Sequence, residues 1–131
     1  QETGVNGVTA ARGAIGNPWI FSQAAALLRG ESLPAAPSVF EQRDVILEHL
    51  RFSEMVLPAD QVIRQIRKFC IFYSAWHPDY MAVRNAFATA ADAERFHTVL
   101  LDRYSDDRPG QYPANPGNVK DTSCSPAAAE I

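Results

Sequence analysis

The fold of this chain is decided by residues 7–21, which read GVTAARGAIGNPWIF. The first part, residues 7–11, is made of small or β-branched residues without polar alternation, a pattern typical of a strand buried on both faces. Residues 12–16 form a run of small residues, here called the Gly-rich turn. Asn17 then predicts a helix N-cap and Pro18 the first helical residue. The stretch therefore predicts a strand, a tight turn and a helix.

The sequence from there to residue 104 is helical by pattern, with apolar residues recurring on one face of each segment. The first predicted helix would stop at Gly30, and the third would cover residues 61–76. Five residues mark the predicted helix starts: Asn17, Ser38 in a capping box with Glu41, Asp60, Asp79 and Thr89. We therefore predict a mainly α fold, in which a C-terminal helical bundle is preceded by one residual strand.

Composition sets the limits of this prediction. With 131 residues, a net charge of −3 and 47% hydrophobic residues, the chain resembles one soluble globular domain at most. Two cysteines cannot form a disulfide framework, and no apolar run approaches the ~20 residues that cross a bilayer. The chain begins with Gln1, and its first residues already have the pattern of the end of one element and the start of another, so we treat it as a piece of a longer protein. No charged region followed by an apolar region predicts a signal peptide. Residues 105–131, rich in Pro, Gly and Ser, are predicted to be a disordered tail.

The Gly-rich turn carries the first candidate chemistry. A turn of small residues after a strand lets backbone N–H groups approach a phosphate, and a following helix N-terminus adds partial positive charge. Arg12 could add a charge-assisted contact or form a structural ion pair. The alternative is an ordinary turn between a strand and a helix, which is the more common outcome for glycines at such positions. Spacing alone leaves both interpretations open.

The third predicted helix carries the second candidate site. Arg64, Arg67 and Lys68 lie at positions i, i+3 and i+4, and together they are called the basic face. They lie nearly opposite the apolar stripe, and no acid occurs in residues 61–76. Three cations without a local counter-ion fit a surface that meets a phosphate backbone. The alternative is an ordinary solvated helix face.

No other residues indicate a site. The histidines His49, His77 and His97 have no metal-ligand spacing, and we expect ordinary surface or half-buried histidines. Cys70 falls on an apolar stripe and is predicted to be a core residue, and Cys124 lies in the predicted tail. We therefore predict no metal site and no catalytic thiol here.

Residues 4–21 resemble the last barrel strand and flavin-phosphate loop of the tRNA-dihydrouridine synthases, whose pattern is close to G-x-D-G-V-M-I-G-R-G-A-x-G-N-P-W-x-F. Residues 67–73 are similar to that family's R-K-H-x-x-W-Y stretch, and Arg84 lies where a further arginine often follows. The resemblance covers about residues 3–104. Phe69 and Phe72 replace the motif's His and Trp, and Ala11 replaces a glycine.

The resemblance implies an FMN-dependent oxidoreductase that reduces uridine to 5,6-dihydrouridine in tRNA, with NADPH reducing the flavin. It implies that Ala11, Arg12 and Gly13 contact the FMN phosphate and that Arg67 and Lys68 face tRNA, to which we add Arg64. The proton-donating cysteine of the family lies on a barrel loop that this chain lacks, so no catalytic residue is expected here. We also expect a cytoplasmic, monomeric protein without membrane or metal partners.

The predicted domains follow the same match. Residues 1–30 would be the end of an FMN-binding (β/α)8 barrel, residues 31–104 a helical tRNA-binding domain and residues 105–131 the tail. Because one strand cannot form a barrel, we predict that the isolated chain neither binds FMN tightly nor turns over. The alternatives are a non-catalytic helical RNA-binding module and a helical interaction domain without a phosphate partner.

Overall fold

The computed structural model describes Gly4 and residues 6–114, and its regular structure is helical. Five α-helices follow in chain order: α1 (Ile20–Leu28), α2 (Val39–Val56), α3 (Ala59–Tyr73), α4 (Tyr80–Thr89) and α5 (Ala93–Arg103). Two 3-10 turns, Arg12–Ala14 and Ser74–Trp76, precede α1 and follow α3. The predicted mainly α class, with five helices joined by short connections, is confirmed.

Residues 7–11 do not form the predicted strand, and none of the described residues lies in a β-strand. A strand needs a neighbouring strand to satisfy its N–H and C=O groups, and the described part of the chain offers none. Val8 is 78% exposed, so the apolar pattern of this segment has nothing to pack against. The residual strand is therefore a wrong prediction for this structure.

The start of α2 is as predicted. The Ser38 hydroxyl accepts a hydrogen bond from the Glu41 N–H, and the Glu41 carboxylate accepts one from the Ser38 N–H, which completes a capping box. The start of α1 is later than predicted, at Ile20. Asn17 does not cap this helix: its Oδ1 accepts no hydrogen bond among the described residues, and its Nδ2 donates to the Gln23 side-chain oxygen at 3.1 Å.

Three further helix boundaries are set by local hydrogen bonds and backbone conformation. Thr89, the predicted start of α5, is instead the last residue of α4, and its hydroxyl bonds back to carbonyls of that helix. Asp92 caps α5, because its carboxylate accepts from the Arg95 N–H at 2.8 Å. The end of α1 is as predicted: Gly30 has φ +76°, and the N–H of Glu31 reaches the carbonyl of Ala26, as in a Schellman motif.

Helices α2 to α5 share one hydrophobic core. Its fully buried residues include Ile46, Ile66 and Val83, and burial of each such side chain is worth about 1.5–3 kcal/mol. The other main contributors are Leu50, Val62, Cys70, Phe87, Phe96, Leu100 and Tyr104. The predicted apolar stripe of α3 therefore faces this core.

Residues 105–112, here called the strap, lie against the bundle. The carbonyl of Arg108 accepts from the Val39 N–H at 2.9 Å, and the Gln111 N–H donates to the Trp76 carbonyl at 2.8 Å. The prediction of a disordered tail is wrong for this part, because main-chain hydrogen bonds fix a segment that has little apolar surface. Residues 115–131 lie outside the described residues.

Candidate functional site

The Gly-rich turn is built on the 3-10 turn that begins at Arg12. Three backbone hydrogen bonds of 3.1 Å close it, from the N–H groups of Ala14, Ile15 and Asn17 to the carbonyls of Ala11, Arg12 and Ala14. The first N–H groups of a helical turn have no acceptor within it. Here these are the N–H groups of Arg12 and Gly13, and both residues are exposed, as is Ala11.

The donors of this turn fit a phosphate group. Arg12 forms no ion pair with any residue of the described chain, so its guanidinium is not neutralised by a structural partner. A Cβ at Gly13 would meet only Ile20 Cδ1, at 3.4 Å, so packing does not require a glycine there. Two N–H groups and one guanidinium, with little side-chain bulk, are the types of donor that occur in anion-binding sites.

Gly16, by contrast, is required by its surroundings. Its φ is +76°, and a Cβ there would lie 2.5 Å from the Cβ of Phe72 on α3. Its carbonyl accepts a buried hydrogen bond of 2.7 Å from Nε1 of Trp76. The end of the Gly-rich turn is therefore seated directly on the end of α3.

The basic face divides into two kinds of residue. Arg64 and Lys68 are exposed and form no ion pair within the described residues. Arg67 is half-buried, and its Nη1 donates to the carbonyl of Ala90 at 3.0 Å, at the C-cap of α4. The structure therefore places all three on α3 but ties Arg67 to the corner between α4 and α5.

Two aromatic residues of α3 occupy the positions where the resemblance has His and Trp. Phe69 packs against the ring of His49 on α2, with centroids 4.8 Å apart. His49 Nδ1 is hydrogen-bonded to the Tyr73 hydroxyl at 3.0 Å. Burial lowers the pKa of His49 and raises the pKa of Tyr73 to about 12, so this pair is neutral at pH 7. Phe72 lies under Gly16.

The remaining titratable groups serve the fold. His77 is fully buried: its Nε2 bonds to the Arg103 carbonyl and its Nδ1 accepts from the Asp79 N–H, both at 2.9 Å. Burial lowers the pKa of His77 and raises the pKa of the Cys70 thiol. Cys70 is a core residue, as predicted.

Residues 4 and 6–114 contain no cluster of metal ligands and no membrane-spanning helix. Within these residues no group of three or more His, Cys, Asp or Glu side chains is placed to hold a metal ion. None of the described helices has the length and apolarity needed to cross a membrane.

Trp76 is the site residue that sequence reasoning missed. It lies at the end of the predicted third helix, residues 61–76, which gives no sign of this role, and it is 1% exposed. The available signal is that a buried indole N–H needs an acceptor. The acceptor is Gly16, 60 residues away, and helical periodicity does not identify such a partner.

Comparison with known proteins identifies the protein family to which this chain belongs. The family model described as "Dihydrouridine synthase (Dus)" matches residues 1–107. The chain therefore belongs to the dihydrouridine synthase family, which confirms the resemblance.

Individual relatives agree. A "Probable tRNA-dihydrouridine synthase" of Mycobacterium tuberculosis is 33% identical over 101 residues, which are 77% of this chain and 26% of the relative. A "tRNA-dihydrouridine synthase B" of Xanthomonas axonopodis pv. citri is 39% identical over 93 residues, 68% of this chain and 28% of the relative. The chain thus spans about a quarter of the length of these curated relatives. No solved structure matches the chain.

Proposed function

We propose that this chain is the C-terminal portion of an FMN-dependent tRNA-dihydrouridine synthase. In the complete enzyme NADPH would reduce the flavin, and the flavin would reduce the 5,6 double bond of uridine in tRNA. The observation that carries the proposal is the Gly-rich turn, whose first N–H groups and Arg12 guanidinium have no partner among the described residues, in a chain that the dihydrouridine synthase family model matches from residue 1 to 107.

Ala11, Arg12 and Gly13 would hold the FMN phosphate. The N–H groups at the start of the turn would donate to phosphate oxygens, and the Arg12 guanidinium would add a charge-assisted contact. The methyl group of Ala11 leaves its backbone N–H in place. Bound FMN would supply the reducing equivalents, and these residues would anchor the phosphate end of the cofactor.

The basic face would bind the tRNA backbone. Arg64 and Lys68 are the residues that we propose contact phosphates, because they are exposed and carry no counter-ion among the described residues. Arg67 would act mainly by holding the α4–α5 corner. The helical part, residues 31–104, would then be the tRNA-binding domain.

The chemical step would use a cysteine elsewhere in the polypeptide. Cys70 is unsuited to protonating a base, because it is fully buried and its pKa is raised by that burial. We also propose that the enzyme is a monomer that acts in the cytoplasm, where its tRNA substrate would be found.

The test is to purify the polypeptide encoded by the whole reading frame around Gln1. We expect a barrel with a loop cysteine upstream, a stoichiometric flavin absorbance band and formation of dihydrouridine in tRNA with NADPH. A genuine start codon next to Gln1, or a colourless complete protein, would contradict the proposal. The first outcome would favour the non-catalytic RNA-binding module instead.

The isolated 131-residue chain provides a second test. We expect it to purify without flavin, because a single segment of a barrel cannot enclose the cofactor. A stoichiometric yellow preparation would overturn this expectation.

A further inference from the structure

Trp76 joins three parts of the molecule through one residue. Its indole Nε1 donates to the Gly16 carbonyl at 2.7 Å, and its ring packs edge-on against Trp19 with centroids 5.2 Å apart. Its other neighbour is the strap, through the ring of Tyr112 at 5.3 Å. Because Trp76 is almost fully buried, these contacts are shielded from competing water.

On the side of the Gly-rich turn, the Gly16 backbone packs closely against α3. The positive φ of Gly16 turns its carbonyl toward Trp76 and brings its backbone against Phe72. A side chain at residue 16 would be strained by the positive φ and would strike α3. The end of the turn is therefore seated on α3 through the Gly16 backbone.

On the side of the strap, the fit is equally close. A Cβ on Gly110 would strike the Pro37 carbonyl and would lie 2.6 Å from Nε2 of Gln42. That Gln42 amide donates to the carbonyls of Pro37 and Trp76, at 2.8 and 3.0 Å. The strap therefore packs over the main chain of Trp76 and holds it in place.

Trp76 also has a fixed relation to the basic face. It ends the 3-10 turn Ser74–Trp76, which continues directly from α3, the helix that carries Arg64 and Lys68. Any group that is fixed to Trp76 is therefore fixed relative to these two cations.

We propose that Trp76 is a positioning residue that sets the distance between the Gly-rich turn and the basic face. Its indole N–H holds the turn, and the strap holds Trp76. The biological meaning of this distance rests on the proposed function, in which the turn anchors the flavin phosphate and the basic face binds tRNA. Trp76 would then align the two partners of the reaction without touching either.

The test measures that distance directly in the 131-residue chain. Spin labels are attached at Ala11→Cys and Asp60→Cys, both exposed positions, in a Cys124→Ser background, while the buried Cys70 remains unlabelled. We expect a narrow distance distribution by pulsed electron paramagnetic resonance. Trp76→Phe, which keeps an aromatic ring but removes the N–H, should broaden it about twofold, because losing one buried hydrogen bond releases the turn locally.

Trp19→Phe is the matched control. Trp19 shares the aromatic contact but not the hydrogen bond to Gly16, so this variant should keep the narrow distribution. A Trp76→Phe distribution as narrow as the parent would overturn the proposal. Equal broadening in both variants would also overturn it, because ring packing rather than the N–H would then hold the turn.

A second variant covers the case in which Trp76→Phe does not fold. Gly16→Ala breaks the same contact from the turn, and we expect a broadened distribution with an unchanged helical circular dichroism spectrum. A narrow distribution in this variant would contradict the proposal. Neither measurement uses flavin or tRNA, so the outcome is independent of whether the proposed function holds.

Discussion

The segment before α2 and the bundle of α2 to α5 differ in what their sequences specify. Residues 7–21 carry the long, specific family motif, yet they form no strand here, and α1 leaves Phe21 62% and Leu28 82% exposed. The bundle carries a weaker motif but encloses a complete core. Among the described residues, the segment with the stronger motif therefore has little packing of its own, whereas the bundle has a buried core.

The largest expected effect is a difference in stability between variants of the two regions. Ile66→Ala in the bundle core should lower the free energy of unfolding by about 3 kcal/mol, because it removes fully buried methyl groups and leaves a cavity. Leu28→Ala on α1 should cost less than about 0.5 kcal/mol, because its side chain is exposed. Urea denaturation measures both. Similar losses would show that α1 packs as firmly as α3.

The second expected effect is a difference in stability between two variants of the basic face. Arg67→Gln should lower the free energy of unfolding by about 1 kcal/mol, because the Ala90 carbonyl loses its guanidinium donor. Arg64→Gln, which removes the same charge one helical turn away, should change it by less than about 0.5 kcal/mol. Thermal unfolding of both variants gives the comparison. Equal stabilities would remove the distinction between a supporting Arg67 and a binding Arg64.

The third effect tests the boundary of α5. Asp92→Ala should cost about 1 kcal/mol, because it removes the N-cap acceptor of the Arg95 N–H. Thr89→Ala should be close to neutral, because the Thr89 hydroxyl bonds only within α4 and alanine is the better helix former. A larger loss of unfolding free energy in Thr89→Ala than in Asp92→Ala would instead support a start of α5 at Thr89, as the sequence predicts.

The helix boundaries show which parts of the fold can be predicted from the sequence. The capping box at Ser38, the stop at Gly30 and the apolar stripe of α3 depend on neighbours within a few residues, and all three are present. The prediction is wrong where a distant partner decides. The segment at residues 7–11 lacks a sheet, and the strap is fixed by main-chain groups of Val39 and Trp76.

The candidate site was predictable only in part, for the same physical reason. Its residue types could be predicted, because a small-residue turn and clustered cations are visible in the sequence. The role of Arg67 could not, because its acceptor lies 23 residues away at the end of α4. The seating of Gly16 on Phe72 could not either, because no local pattern encodes that contact.

The smallest effect is a pH dependence within the bundle. Burial lowers the pKa of His77 in the folded chain. As the pH falls below about 6.5, His77 therefore takes up a proton more readily in the unfolded chain than in the folded one. This difference lowers the free energy of unfolding in that pH range. The pKa of His49 is lowered for the same reason. Asp79 and Asp107, whose pKa values are lowered by hydrogen bonds, act only in more acidic solution.

Urea denaturation between pH 7 and pH 5 measures this dependence. We expect stability to fall toward pH 5 in the parent chain and the fall to be smaller in His77→Asn. An unchanged slope in this variant would show that His77 does not carry the effect.

The measurement that tests the account most directly is the salt dependence of tRNA binding by the 131-residue chain. The parent should bind tRNA with an affinity that falls steeply with salt. The double variant Arg64→Gln with Lys68→Gln should lower the log–log slope by between about 1 and 2, because each phosphate that is no longer neutralised changes it by about 0.7–0.9. The matched double variant Arg29→Gln with Arg95→Gln removes the same charge from residues that pair with Glu31 and Asp92, and it should keep the parent slope. Absence of salt-dependent binding, or equal slopes in the two double variants, would contradict a tRNA-binding basic face.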